Sequence, residues 1–205
     1  LVPLLLREYG PGDVKSIMTI HNLAFQGQFP MECAASLGIP ERYRNDEAAG
    51  AWGRLNFLKA GIRYADRVTT VSHTYAREIL TPAFGCGLEG LLRRRAADLE
   101  AIPNGIDNMV WNPVRDPHLG SLRFSARDLG RKARSKAALQ REFGLHEDAE
   151  AVLLAMGSRL TEQKMADVAA QALPESLDRH PRLQVAILGQ GDRRLEEALK
   201  RLCAR

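Results

Sequence analysis

The last third of the chain constrains its fold most. An apolar run, Ala151 to Met156, leads into a polar loop and then a helical pattern from Glu162 to Leu173. A second apolar run covers Gln184 to Leu188, and a final helical stretch follows, "DRRLEEALKRLCAR". Short apolar runs alternating with helices describe a βαβ unit, whose parallel strands require a crossover helix between them. The same alternation is present upstream. "SIMTI" (Ser16 to Ile20) reads as a buried strand that delivers His21-Asn22 into a loop. Leu55, Leu58, Ile62 and Ala65 recur at helical spacing and predict a helix over Gly53–Ala65. Arg67 to Val71 is β-branched and short, a strand, and "HTYAREIL" is a helix stopped at Thr81-Pro82. "FGCGLEG" reads as a glycine-rich loop, and "LEAIPNGID" gives a strand ending at Pro103. The alternation predicts an α/β chain built on parallel sheets.

Pro103, Pro113 and Pro117 break the pattern around "NGIDNMVWNPVRDPHLG", which reads as a crossover between domains. Beyond it "ARDLGRKARSKAALQREFGL" is helical, with Gly144 as its stop. Pro174 is expected to end or kink the helix that begins at Glu162. With 205 residues, the chain suffices for one large domain or two modest ones. Its first apolar stretch, "LVPLLL", is too short to span a membrane and lacks the flanks of a signal peptide. Cys33, Cys86 and Cys203 are far apart with no CxxC, which suggests neither a zinc site nor a redox pair and fits a reducing cytosol.

In open parallel sheets, ligands bind beyond the carboxyl ends of the strands. Three polar loops leave such ends: His21-Asn22, Gly157-Ser158-Arg159 and Gly189-Gln190-Gly191-Asp192. His21, read from spacing alone, is open between a loop histidine with local hydrogen bonds and an acid or base. The stretch "GSRLTEQKMAD" poses a sharper problem. With Thr161 as N-cap, Lys164 falls in the first turn of a helix, where the backbone dipole favours acids. Two readings are open: Arg159 and Lys164 are solvated surface cations, or a phosphate group lies between them and the helix amides. "LGQGDRR" matches only part of a dinucleotide fingerprint, because Arg194 stands at the third glycine position. Its glycines suit a tight strand-to-helix turn. The basic stretch Arg127–Arg141 carries Arg131, Lys132, Arg134 and Lys136 but few aromatics. It reads as a solvated helix face rather than a nucleic-acid surface, and the net charge of +4 does not indicate nucleic acid either.

Four stretches, "TIHNLAFQGQFP", "NFLKAGIRYADRVTTVSHTYAREILTPAFGCGLEGLL", "IPNGIDNMVWNP" and "GSRLTEQK", occur in an order that resembles bacterial glycogen synthase and plant starch synthase. The resemblance runs from about Ser16 to Arg194. It implies an ADP-glucose-dependent retaining glycosyltransferase of GT-B type, with two Rossmann-like domains facing a cleft, both incomplete in this chain. Residues 1–105 would be the later part of the N-terminal catalytic domain, 106–117 the interdomain crossover, and 118–205 the first part of the C-terminal nucleotide-sugar-binding domain. His21 would lie beside the transferred glucosyl group, with Asn22 next to it. Arg159 and Lys164 would bind the donor diphosphate and, with His21, be the catalytic residues; Asn22, Gly157 and Ser158, with Asn104 and Asp107 at the crossover, would bind substrate. The reaction implied is transfer of glucose from ADP-glucose to the 4-hydroxyl of a growing α-1,4-glucan, with ADP-glucose and glucan as partners.

The two cations stand in for a metal, so no metal or cofactor is expected. Oligomeric state is not encoded in these motifs. Met165 occupies a position where the family usually has glycine after "QK"; its side chain either crowds the phosphate loop or points away. The family's lysine–glycine–glycine segment and its C-terminal glutamate motif have no match here, so the chain is expected to be a middle segment, inactive on its own. Competing readings are a related retaining transferase with another nucleotide sugar and a non-catalytic glucan- or nucleotide-binding remnant. A bacterial cytoplasmic setting is expected, with a plastid as the alternative.

Overall fold

The computed structural model describes residues 1–203, which divide into two compact units, Leu1–Ile106 and a second from Asp107 onward. In chain order the first unit contains α1 (Val2–Tyr9), β1 (Ile17–Ile20), β2 (Gln28–Pro30), α2 (Cys33–Ser36), β3 (Gly50–Ala51), β4 (Arg54–Asn56), α3 (Phe57–Tyr64), β5 (Arg67–Thr70), α4 (His73–Glu78), α5 (Glu89–Arg94) and β6 (Leu99–Ala101). Strands β1, β5 and β6 form a parallel sheet with β5 in the middle. The β-branched residues of β5 explain its central place, since Val68, Thr69 and Thr70 are all buried. Burial obliges the two hydroxyls to find partners. Thr69 pairs with Thr19 at 2.9 Å, and Thr70 donates to the Ile20 carbonyl at 2.8 Å.

Around this sheet Ile20, Leu23, Leu58, Ile62, Val68 and Ile79 make one core cluster, joined by Leu88, Leu91 and Leu92. Each such side chain contributes roughly 1.5–3 kcal/mol on burial. A second cluster gathers Leu4, Ala34, Ile39, Ala49, Leu55 and Ala60. It is closed by α1 and by an antiparallel sheet of order β2–β4–β3.

That sheet corrects the helix expected over Gly53–Ala65. Arg54–Asn56 is strand, and the helix begins at Phe57. Leu55 is buried in either conformation, so the helical spacing was satisfied by coincidence. Asn56 sets the boundary: its side chain accepts from Lys59 N at 2.9 Å and caps α3. Arg95 closes the other end of the same helix. Its guanidinium donates to the carbonyls of Ile62 (2.6 Å), Arg63 (3.0 Å) and Ala65 (2.7 Å), and to Asp98 at 2.9 Å.

The second unit contains α6 (Lys132–Glu142), β7 (Val152–Gly157), α7 (Ala166–Arg179), β8 (Leu183–Leu188) and α8 (Arg193–Leu202). β7 and β8 pair in parallel through six residues, in register Val152 to Leu183. Leu160, Ala166, Leu173, Leu195 and Leu199 bury the inner faces of α7 and α8. Among the described residues each strand pairs only with the other, and Val152, Leu154 and Leu188 remain exposed.

Pro174 does not end α7, which continues to Arg179. The helix expected from Arg127 is shorter at its start, a single tight turn at Leu129–Arg131 preceding α6. Its cations are engaged within the fold: Lys136 donates to the carbonyls of Ala149 and Ala151, and Arg141 pairs with Glu147 at 2.7 Å. Among the described residues no helix is long and apolar enough to cross a membrane.

Candidate functional site

In the first unit, β1 delivers His21 and Asn22 at its carboxyl end, the position where open parallel sheets bind ligands. The loop that follows is held at several points. Leu23 is fully buried and its N–H donates to the Tyr75 hydroxyl at 3.0 Å. Gln26, also buried, accepts from Asn56 Nδ2 at 2.6 Å and donates to the Cys86 carbonyl at 2.9 Å. Gly27 adopts a left-handed φ of 62°, and its carbonyl accepts from Phe57 N at 3.1 Å. These anchors fix the backbone while His21 is left exposed, with no hydrogen bond or ion pair to its imidazole among the described residues. Asn22 is committed locally: its Oδ1 accepts from Ala24 N at 2.9 Å.

The sequence reading did not find the Gln26–Asn56 pair. The signal available for it was two polar residues bracketed by apolar ones, "FQGQF" and "RLNFL". The same network reaches the "FGCGLEG" loop. Cys86 (φ 50°) and Gly87 (φ 79°) are left-handed there, and a Cβ on Gly87 would stand 2.4 Å from the Trp52 ring. Asn104 is exposed near the end of this unit.

In the second unit, β7 delivers Gly157, Ser158 and Arg159. The chain then makes a tight turn, Glu162–Lys164, before α7 begins at Ala166. This corrects the sequence reading: Thr161 does not cap a long helix, and Lys164 is not in the first turn of one. Met165 separates turn from helix with a left-handed backbone, φ 59° and ψ 27°. Glycine suits this conformation, whereas a Cβ makes it costly by roughly 1–2 kcal/mol. The Met165 side chain points to solvent, 62% exposed, so the position bears on the backbone of the loop rather than on its free volume.

Arg159 and Lys164 are both exposed on this loop, and neither side chain forms an ion pair or hydrogen bond among the described residues. The neighbouring acid, Glu162, is engaged by Arg194 at 3.3 Å. Two buried oxygens of the same segment, Thr161 Oγ1 and Asp167 Oδ1, have no hydrogen-bond partner among the described residues.

The loop after β8 lies directly alongside. Leu160 and Gly191 form a parallel bridge, Leu160 N donates to the Gln190 carbonyl at 2.9 Å, and Asp192 N donates to the Leu160 carbonyl at 2.8 Å. The glycines of "LGQGD" serve this approach more than a turn. A Cβ on Gly189 would stand 2.0 Å from the Ser158 carbonyl oxygen. Asp192 caps α8 by accepting from Arg194 N at 2.8 Å, and Glu196 accepts from Gly191 N at 2.8 Å. The amino end of α8 is therefore already occupied by carboxylates, whereas Arg159 and Lys164 on the loop after β7 stand without ion pairs among the described residues. Asp107, in the second unit, spends its carboxylate on a local turn, accepting from Met109 N at 2.8 Å and Val110 N at 3.3 Å. Gly157, Ser158, Arg159 and Lys164 thus share one loop, while His21 and Asn22 share another in the first unit. Among the described residues no cluster of three or more potential metal ligands is present.

Residues 1–94 match the starch synthase catalytic domain family. Over all 205 residues the chain is 63% identical to a glycogen synthase from Bordetella petrii, of which it covers 39%. It is 51% identical over 204 residues to a glycogen synthase from Burkholderia thailandensis, covering 38% of that protein. The chain spans about two fifths of the length of the curated relatives it matches. Its backbone resembles the catalytic domain of starch synthase IV from Arabidopsis thaliana, a structure bound to ADP and acarbose. The TM-score is 0.87 at 28% identity, covering 98% of this chain and 42% of that one. The fold is of the GT-B glycosyltransferase type. Along its whole length the chain is similar to bacterial glycogen synthases, and its first 94 residues match the starch synthase catalytic domain family.

Proposed function

We propose that this chain is the central part of an ADP-glucose-dependent α-1,4-glucan synthase. In this reading two Rossmann-like domains face a cleft, with residues 1–105 and 118–205 belonging to the two domains and 106–117 crossing between them. The observation that carries the reading is the Gly157–Lys164 loop. It holds two cations that have no side-chain partner among the described residues, at the carboxyl end of a parallel strand, in a chain 63% identical to a glycogen synthase along its length.

When the bond between glucose C1 and the diphosphate oxygen breaks, negative charge grows on the leaving diphosphate and the sugar becomes oxocarbenium-like. Arg159 offers two donors in a fixed fork and Lys164 a compact charge, so together they stabilise that charge without a metal. Preorganised groups of this kind usually supply the largest catalytic term. Gly157 and Ser158 let the backbone pass close to the phosphates. His21, on an anchored loop, orients and polarises around the sugar, with Asn22 holding the loop's turn. Asn104 and Asp107 shape the crossover. The acceptor is the 4-hydroxyl of an α-1,4-glucan, the configuration at C1 is retained, and the setting is the bacterial cytoplasm.

The test is steady-state kinetics of the intact enzyme with ADP-glucose and glycogen. Arg159→Ala and Lys164→Ala each lower turnover about 10²–10³-fold, by analogy with a lost oxyanion donor. His21→Ala lowers kcat more than it raises the KM for ADP-glucose. Unchanged kinetics in both cation variants would remove the diphosphate role.

A further inference from the structure

A second cationic site lies in the first unit, beside the "FGCGLEG" loop that Gln26 joins to the loop carrying His21. A pocket of about 230 Å³ is lined by Asp46, Trp52, Lys59, Gly87, Gly90 and Arg94, among others. This is below the roughly 300–1,000 Å³ of sites for drug-sized ligands, so it suits a small molecule. Its charge is weighted to the positive, two cations against the single carboxylate of Asp46. Lys59 and Arg94 both line it, and Arg63 lies one turn beyond Lys59 on α3. None of the three forms an ion pair among the described residues.

The one carboxylate in the pocket balances only one of these cations. Asp46 Oδ1 and Oδ2 accept from Gly53 N at 3.0 and 3.3 Å, and Lys59 reaches the Asp46 backbone carbonyl instead. Burial lowers the Lys59 ammonium below its ordinary value; the Asp46 carboxylate works against this, and Arg63 and Arg94 each lower it by less. Gathering cations in a partly desolvated recess is unfavourable unless an anion shares it.

The walls complete the chemistry. The Trp52 ring is 58% exposed beside Gly87, and Gly90 leaves the Arg94 guanidinium room, a Cβ there meeting only Nη1 at 3.9 Å. We infer that the Lys59–Arg94 pocket binds a small phosphate-bearing molecule, with the phosphate between the two cations and Trp52 covering whatever the phosphate is attached to. The inference does not depend on the donor site on the Gly157–Lys164 loop.

The experiment is calorimetric titration of the intact enzyme with inorganic phosphate, glucose 1-phosphate and glucose. It is done in an Arg159→Ala/Lys164→Ala background, so that binding at the donor loop does not contribute. Glucose 1-phosphate or phosphate is expected to bind and glucose not to. Tighter binding of the ester than of free phosphate assigns the Trp52 wall to the sugar, and equal binding assigns the pocket to free phosphate. Arg94→Gln, an exposed position whose loss leaves the core untouched, weakens binding at least tenfold, and Lys59→Met does the same where it folds. Binding unchanged in Arg94→Gln, or absent from the background variant, overturns the proposal. Loss of glucosyl transfer in the Arg159→Ala/Lys164→Ala enzyme is read separately, so the two sites fail or stand independently.

Discussion

Gly191 lies against Leu160 so closely that a Cβ on it would stand 2.2 Å from the Leu160 carbonyl oxygen. The contact is backbone to backbone, with no flexible side chain to give way. It couples the loop after β8 to the loop that carries Arg159 and Lys164. Gly191→Ala must therefore push the two loops apart. The expected outcome is a raised KM for ADP-glucose in the intact enzyme, with the far-ultraviolet dichroism of the wild type retained. Kinetics equal to wild type would show that the donor loop keeps its geometry without the bridge.

Met165→Gly relieves the left-handed backbone at the start of α7. The gain of roughly 1–2 kcal/mol from removing the Cβ is partly offset by about 0.4–1 kcal/mol of added freedom in the unfolded chain. Net stabilisation of about 0.5–1 kcal/mol is expected, read as a higher urea midpoint at unchanged slope. A lower midpoint would mean that the exposed methionine makes a contact that outweighs its backbone strain.

Arg95→Ala removes a mostly buried guanidinium that donates five hydrogen bonds, and leaves the last carbonyls of α3 without these partners. Hydrogen bonds to charged groups contribute about 1.5–3 kcal/mol, and orphaned buried acceptors add to the cost. Destabilisation of about 2–4 kcal/mol is expected in chemical denaturation. Arg95→Lys should recover only a small part, because a single ammonium cannot span three carbonyls.

Asp66 ties the start of β5 to the residue before β1. Its Oδ2 accepts from Ser16 N at 2.8 Å and from Ser16 Oγ at 3.2 Å, and Lys15 lies 3.4 Å from Oδ1. These contacts, led by the Ser16 amide, hold the carboxyl below its ordinary value of 3.8. A depressed acid contributes stability above its unfolded pKa and loses it as pH falls through the folded one. The stability difference between wild type and Asp66→Asn is therefore constant near neutrality and shrinks as the pH drops below about 4. A difference independent of pH down to 2 would show that the folded state does not depress the Asp66 carboxyl.

Much of the parallel framework could be read from residues alone. β1, β5, β7 and β8 begin and end within one residue of the apolar runs that predicted them, because turn and cap residues bound each run. The antiparallel sheet could not be read. Its strands are two or three residues long, too short for an alternating pattern, and Leu55 fits helix and strand equally. Helix α1 was hidden in a six-residue apolar stretch with no period to display. At the donor loop the motif located Arg159 and Lys164, but the helix start was misplaced. Thr161 followed by Glu162 imitates a cap, and only the left-handed backbone of Met165 reveals where α7 begins. The bridge from Leu160 to Gly191 joins residues far apart in sequence, and no local signal announces it.

The β7–β8 pair has a practical consequence. Each strand presents one bare backbone edge among the described residues, flanked by the exposed Val152, Leu154 and Leu188. Unpaired edges with apolar flanks recruit further strands. Concentrating this 205-residue polypeptide by itself therefore favours intermolecular sheet growth. Light scattering that rises with protein concentration would report it, and charged substitutions at Val152 or Leu188 would be the natural solubilising changes.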